Sequence, residues 1–352
     1  MKKLRFRKRD RIDNKAIPSR ITNETVAEHR ERILAGGRKF KYPMQYARHR
    51  LVFNTVIVTI AALVLIVAIG WWQLYPVQNS NTFFYRVTRV LPLPVASVDG
   101  EFVRYGDYLM YFNSSSHYLQ QSEQVNLQSE DGKRQLDYIK RKSMDTVEAD
   151  AYAAKLAREM NITVSSSRVD EVIDNDRNTA NGRISQETYD ASALSILGWS
   201  VSEYRQDVNN KLIRQDVSYA IDTVAKDRQD KAAKLLKAKD ATFSGVAKTL
   251  GGEGDAKATV GVSGLVPRTN RDGGLSLAAA NLEKGKISAA IKATTGDGYY
   301  FVKLIEKNST QVSYEYLRIP LTAFAEKLAA LRSGGKVNEY IHIPAVESQL
   351  QK

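Results

Sequence analysis

Few residues in this chain are of a type and spacing that could carry out covalent chemistry. There is no cysteine, which removes disulfides, zinc thiolate sites, iron–sulfur clusters and cysteine nucleophiles together. The four histidines, His29, His49, His117 and His342, lie far apart and form no His-Glu-x-x-His pair. Neither a metal centre nor a cofactor is therefore expected. No Gly-x-Ser-x-Gly elbow occurs, and Gly251-Gly-Glu-Gly254 lacks the lysine with which a P-loop holds phosphates. Acidic pairs such as Asp145 and Glu148 have basic neighbours and read as solvated helix faces. Asn113-Ser-Ser and Asn161-Ile-Thr match glycosylation acceptors, a triplet that arises often by chance.

The elements that would position any site begin with a membrane span. Leu51–Trp72 contains 22 residues without a charge, and as a helix of about 33 Å it would cross a ~30 Å hydrocarbon core. Arg48 and Arg50 flank one end, and Trp71, Trp72 and Tyr75 form an aromatic collar at the other. A cleaved signal peptide fits poorly, because about 50 residues precede the apolar run. The net charge of +13 is concentrated on the same side: residues 1–50 hold 16 Lys and Arg against 5 Asp and Glu, the other 302 hold 36 against 34. The positive-inside rule then places 1–50 in the cytoplasm and 73–352 outside. The basic run Met1–Arg9 reads as a disordered topology signal, so no nucleic-acid partner is expected. A short helix is expected at about Glu24–Leu34, capped by Asn23 and stopped by Gly36-Gly37.

The full length of 352 residues leaves room for about two domains. Residues 73–94, punctuated by Pro76, Pro92 and Pro94, read as a stalk. Val95–Val103 reads as two short strands about an Asp-Gly turn. Helices are expected at Tyr105–Gln121, at about Lys133–Met160, at Arg168–Arg177 capped by Ser165, and from Ser200 onward, with a polar loop at Asn178–Arg183. The texture changes after Asp240: a short helix to Leu250, a glycine-rich stretch to Gly274, a short Ala-rich piece at Leu275–Leu282, then strand-like runs at Ile287–Ala293, Tyr299–Ile305 and Val312–Leu321. A helix at Ala323–Ser333 and a short segment around Tyr340–Pro344 close the chain. The fold class is α+β: one transmembrane helix, a mainly helical lobe and a small α+β domain, with boundaries at 95–225 for the lobe, 226–322 for the small domain and 323–352 for a C-terminal helix and tail.

Several of these pieces, in this order, resemble bacterial extracytoplasmic foldases of the SurA/PrsA type with a parvulin-like prolyl isomerase domain. Val98-Asp-Gly-Glu-Phe-Val103 resembles the opening of their chaperone domain, and Leu197-Gly-Trp-Ser-Val-Ser-Glu-Tyr-Arg205 its long returning helix. Leu282-Glu-Lys-Gly-Lys-Ile-Ser288 followed by Gly298-Tyr-Tyr-Phe-Val-Lys-Leu304 is similar to the family's Leu-x-x-Gly-x-Ile-Ser … Gly-Tyr-His-Ile-Ile-Lys-Leu. The resemblance covers about 95–306. It implies a SurA-N-like chaperone lobe over 95–225 and a parvulin-like domain over 226–322. Tyr300 stands where the family has one histidine. The opening parvulin strand is missing before Lys231, where the long helix is expected to run straight in through Asp222–Lys226. Val312–Leu321 looks like that strand displaced to the far end of the domain, which would put Tyr316 at the other histidine's place. Leu275 and Leu277 are the remaining candidates for an apolar peptide groove.

Prolyl isomerisation forms no covalent intermediate; it grips the twisted amide in an apolar pocket with a few hydrogen bonders. Tyr300 and Tyr316 would supply such hydrogen bonds, or else be packed tyrosines of the sheet. The expected function is a membrane-anchored extracytoplasmic chaperone for unfolded, secreted or Pro-containing polypeptides, with isomerase activity weak or lost. The alternatives are an active parvulin-type isomerase and a non-enzymatic envelope scaffold such as a division protein.

Overall fold

The computed structural model describes residues 21–41, 43–179 and 182–345. The tail Met1–Arg9, whose disorder was expected, lies outside them. The chain forms two compact units, 1–71 and 72–352.

The first unit holds α1 (Asn23–Lys41) and most of α2 (Pro43–Leu74). Gly36-Gly37 does not stop α1, which runs on to Lys41. Within α2, the 26 residues His49–Leu74 are long and apolar enough to cross a membrane, and the large apolar side chains from Leu51 to Trp72 are exposed.

The second unit opens with a correction. Residues 73–94 are not a stalk: Leu74 is buried, and α3 (Thr82–Val90) follows, its N-terminus capped by the Asn81 side chain on the Phe84 N–H. The prolines flank this helix rather than interrupt it, and burial of Phe84 and Tyr85 against the lobe holds it in place. β1 (Pro94–Val98) and β2 (Glu101–Arg104) form a hairpin over Asp99-Gly100, leading into α4 (Tyr105–Gln121). The α3–α4 approach is so close that a Cβ at Gly106 would lie 2.6 Å from the Thr88 carbonyl oxygen. α5 (Glu130–Glu159), capped by Ser129, and α6 (Ser166–Asp176), capped by Ser165, come next. The polar loop after them contains a minimal ladder, β3 (Asn178–Thr179) with β4 (Gly182–Arg183). α7 (Gln186–Leu197), unannounced by any apolar stripe, buries none of its residues. α8 (Val201–Ile221) starts at a full capping box of Ser200 and Glu203.

The helix does not run straight into the next segment. Asp222 ends α8 and caps α9 (Thr223–Leu235), its carboxylate accepting from the Ala225 N–H at 2.8 Å. α10 (Phe243–Leu250) follows. The glycine-rich stretch then contributes β5 (Thr259–Val262) and β6 (Val266–Pro267), which were not foreseen, before α11 (Leu275–Ala280). Of the strand expected at Ile287–Ala293, only β7 (Ile291–Lys292) and an isolated bridge at Ile287 form. β8 (Gly298–Lys307) and β9 (Gln311–Pro320) pair antiparallel along their length, so the sheet order is β5-β9-β8-β7, with β6 on the far end of β9. Val312–Leu321 therefore does enter the sheet beside Tyr299–Ile305. One face, with Tyr299, Phe301, Leu317 and Ile319, packs on α9 and α10; the other carries Tyr300, Val302, Leu304 and Tyr314.

The chain end returns to the lobe where it began. α12 (Ala323–Ser333) places Leu328 and Phe324 in the lobe core, and β10 (Val337–Glu339) pairs with β1, Ala96 opposite Glu339 and Val98 opposite Val337. Ile341 and Ile343 are buried in the same core. The C-terminal residues thus complete the helical lobe, and the sheet domain is an insertion between α8 and α12.

Candidate functional site

Strand alternation builds the first candidate site. In the β8–β9 register Tyr300 lies opposite Arg318, Val302 opposite Tyr316 and Leu304 opposite Tyr314, so all six side chains share one face. α11 covers part of this face with Leu275 and Ala279. Beyond α11 the face opens into a groove of about 630 Å³, bounded by the β5 edge and by Asp272 and Asp297. The Tyr300 and Tyr316 rings lie 6.0 Å apart, and those of Tyr314 and Tyr316 6.4 Å apart, both pairs tilted. Tyr316 folds over Gly261, where a Cβ would lie 2.4 Å from the phenol oxygen.

The three phenols differ in their partners. Tyr300 donates to Asp297 Oδ2 at 2.6 Å, and the Arg318 Nε donates to the same oxygen at 2.9 Å. Tyr314 donates to Asp272 Oδ2 at 2.6 Å. Tyr316 makes no hydrogen bond among the described residues, so its hydroxyl is the one left to meet an incoming group. Burial and the neighbouring carboxylates push Tyr300 and Tyr314 well above the usual phenol range, so both stay protonated donors. Burial pushes the Asp297 carboxyl up, but hydrogen bonds from Thr295 and Tyr300 together with the Arg318 charge outweigh it and hold the group below its ordinary value. The groove is therefore apolar at Leu275 and aromatic along one wall.

Of the four sequence candidates, Tyr300, Tyr316 and Leu275 line this groove. Leu277 does not: it sits on the outer side of α11 with 63% of its surface exposed, because two residues along a helix turn the side chain away from Leu275. Sequence reasoning missed Tyr314, Arg318, Asp297 and Asp272. The first two were readable from the two-residue period that runs through Tyr316; the aspartates come from turns whose course no pattern fixes. No histidine, cysteine or nucleophile–base pair lines the groove, and the described residues hold no cluster of ligands for a metal ion.

A second candidate lies on the helical lobe. α3, α4 and the start of α8 enclose a cleft of about 640 Å³ lined by Tyr85, Met110, His117, Leu197 and Trp199. The Trp199 indole donates to the Met110 carbonyl at 3.2 Å, which fixes its ring. Leu194, Ile196 and Val201, on α7 and at the start of α8, are exposed. The cleft joins an aromatic and aliphatic wall, Tyr85, Val90, Met110, Leu197 and Trp199, to the charged Arg86, Arg89 and Glu203, a mixed surface that suits a polypeptide segment.

A third cluster holds the lobe together. Glu148 on α5, read from the sequence as solvated, has no exposed surface; Arg332 of α12 donates to it at 2.6 Å and to Asp145 at 2.7 Å. Arg141 reaches across to Glu339 of β10 at 2.6 Å. Burial raises the Glu148 carboxyl to about 7 and the Glu339 charge adds to that, against the pull of Arg332 and Arg141.

Residues 44–218 match the family described as the SurA-like N-terminal domain. No curated protein matches the chain.

Proposed function

We propose, from the SurA-like N-terminal domain that residues 44–218 carry, that this chain is a membrane-anchored extracytoplasmic chaperone for unfolded polypeptides, whose inserted sheet domain is a parvulin-like fold with prolyl isomerase activity weak or lost. The helix His49–Leu74 serves as the anchor, and the basic excess on its N-terminal side argues for that side being cytoplasmic. The observation that carries the reading is the matched domain, to which the α3–α4–α8 cleft and the exposed Leu194 and Ile196 on α7 add apolar surface for clients. The clients are extended or unfolded segments, gripped by burial of their apolar side chains.

The test is suppression of aggregation by the full chain in lipid nanodiscs, using a thermally unfolding model protein and no nucleotide. Stoichiometric suppression is expected, and Leu194→Ser combined with Ile196→Ser should weaken it severalfold while leaving the melting temperature near that of the parent. No suppression at any ratio overturns the reading. Their exposure on α7 makes the double variant mild for stability, since neither side chain is buried.

One observation favours a second reading, an active isomerase: Tyr300, Tyr316 and Leu275 do meet in one groove. Isomerisation there would seat the proline against Leu275 and the rings while the Tyr316 hydroxyl donates to the twisted amide. Both other phenols, however, already donate to carboxylates. Acceleration of cis–trans exchange in an Xaa-Pro peptide that Tyr316→Phe abolishes would establish this reading; the rate of the uncatalysed peptide would exclude it.

A further inference from the structure

The outward face of α3 has no partner within the chain, and its position along the sequence says what covers it. Phe84, Tyr85 and Thr88 turn toward the lobe. At 100° per residue the opposite side carries Phe83, Arg86 and Val90, while the half-buried Val87 turns back toward Phe84. Phe83 is 66% exposed and Val90 81%, values unusual for side chains of this kind on a folded surface. Val77 and Leu91, immediately before and after the helix, are exposed as well. From Gln73 to Val98 the sequence contains Arg86 and Arg89 and no aspartate or glutamate, so the strip presents apolar and basic groups without a repelling carboxylate.

Chain connectivity supplies the occupant. Trp72 lies in the aromatic collar of the span, and Leu74, two residues later, is already in the lobe core, its carbonyl accepting from the Tyr105 hydroxyl. No spacer separates the span from the folded lobe, and α3 begins eight residues after Leu74. A lobe tethered this tightly stays at the bilayer surface, within the depth of the headgroup region. We infer that α3 is an interfacial helix that lies in the headgroup layer of the membrane crossed by α2, inserting Phe83 and Val90 toward the acyl boundary with Arg86 at the phosphates. Amphipathic helices with this apolar and basic division bind such interfaces. The consequence is a fixed lobe whose α3–α4–α8 cleft, bordered by Arg86 and Val90 as well as Tyr85, opens beside the lipid surface.

The inference rests on the reading of His49–Leu74 as a span, and its test separates the two. Because the chain has no cysteine, single cysteines can be introduced into the full chain, labelled with a polarity-sensitive fluorophore and reconstituted into vesicles of phosphatidylcholine and phosphatidylglycerol containing spin-labelled lipid. Phe83→Cys and Val90→Cys report on α3, Ala62→Cys on the span, and Ser309→Cys, in the exposed β8–β9 turn, on solvent. Labels at 62, 83 and 90 are expected to be blue-shifted and quenched severalfold more than at 309, with shallow quenchers more effective than deep ones at 83 and 90. Quenching at 62 with solvent-like signals at 83 and 90 overturns the interfacial helix and leaves the span standing. Solvent-like signals at 62 overturn both. Signals at 83 and 90 that change only when an unfolded polypeptide is added assign the face to clients and overturn the proposal.

Discussion

Tyr316 and Glu148 show how a single neighbour decides what a side chain does. The Tyr316 ring occupies its place in the groove only because residue 261 has no side chain: a Cβ there would lie 2.4 Å from the phenol oxygen and 2.5 Å from the ring carbon that bears it. Gly261→Ala should therefore expel the ring at a cost of about 1–3 kcal/mol. Adding Tyr316→Ala should recover most of that loss, a non-additivity that equilibrium denaturation of the four-variant cycle measures directly. Simple additivity would mean that the ring is free to move aside. Glu148 carries the clearest pH signature. Its folded value of about 7 lies above the ordinary 4.5, so between those two values the folded state binds more protons than the unfolded one. The carboxyl then contributes stability that is complete below about 4.5 and is lost as pH rises through 7, on the order of 1–3 kcal/mol. The groups facing it are Arg332 from α12, Arg141 and Asp145 from α5, and Glu339 from β10. Glu148→Gln should flatten the stability profile between pH 5 and 8, seen as a melting temperature that no longer falls across that interval.

Elements defined by local chemistry were legible in the sequence, and those defined by distant contacts were not. The serines that cap α6 and α8, and the apolar spacing of α5, depend on neighbours within a turn or two, and the helices they mark begin within a few residues of expectation. α3 was hidden because proline-rich flanks resemble a linker, while the burial of Phe84 and Tyr85 that holds it depends on the far side of the lobe. β5 was hidden because Thr-Val-Gly-Val is too short to show alternation; pairing with β9 makes it a strand. In the groove, Tyr300 and Tyr316 were found and Asp297 and Asp272 were not, since hydrogen bonds across a sheet face leave no local pattern. Asp222 is the element-scale joint. Nearly buried, it caps α9 through Ala225 and also accepts the N–H groups of Thr322 at 2.8 Å and Ala323 at 3.1 Å, joining the helix pair to the start of α12. Asp222→Ala leaves three N–H groups without that acceptor and should destabilise by about 2–4 kcal/mol. Asp222→Asn, which keeps one acceptor oxygen, should lose less than half as much in the same urea titration. Equal losses would show that shape, not hydrogen bonding, is what the site requires.

At the scale of the whole molecule the sequence order and the spatial order disagree, and that has a consequence for folding. β1 near residue 96 pairs with β10 near residue 338, and the sheet domain occupies the chain between α8 and α12. The helical lobe thus waits for the last residues described: until α12 and β10 arrive, Val95–Val98 has an unpaired edge and the places of Leu328, Ile341 and Ile343 are open. Full burial of three such aliphatic side chains stabilises by about 5–8 kcal/mol, comparable with the entire stability of an ordinary domain. A chain ending at Thr322 should therefore have a protease-sensitive lobe, cut within α4 and α5, while the sheet domain stays resistant because both of its packed faces lie within residues 219–321. Supplying residues 323–345 as a separate peptide should restore protection of the lobe in proportion to its concentration, since the peptide binds the folded form alone. Contacts this distant in sequence also predict slow closure, with the lobe gaining protection in hydrogen exchange after the sheet domain rather than before it. Protection of the lobe in the truncated chain, equal to that in the full one, would show that α12 and β10 decorate a lobe already complete without them.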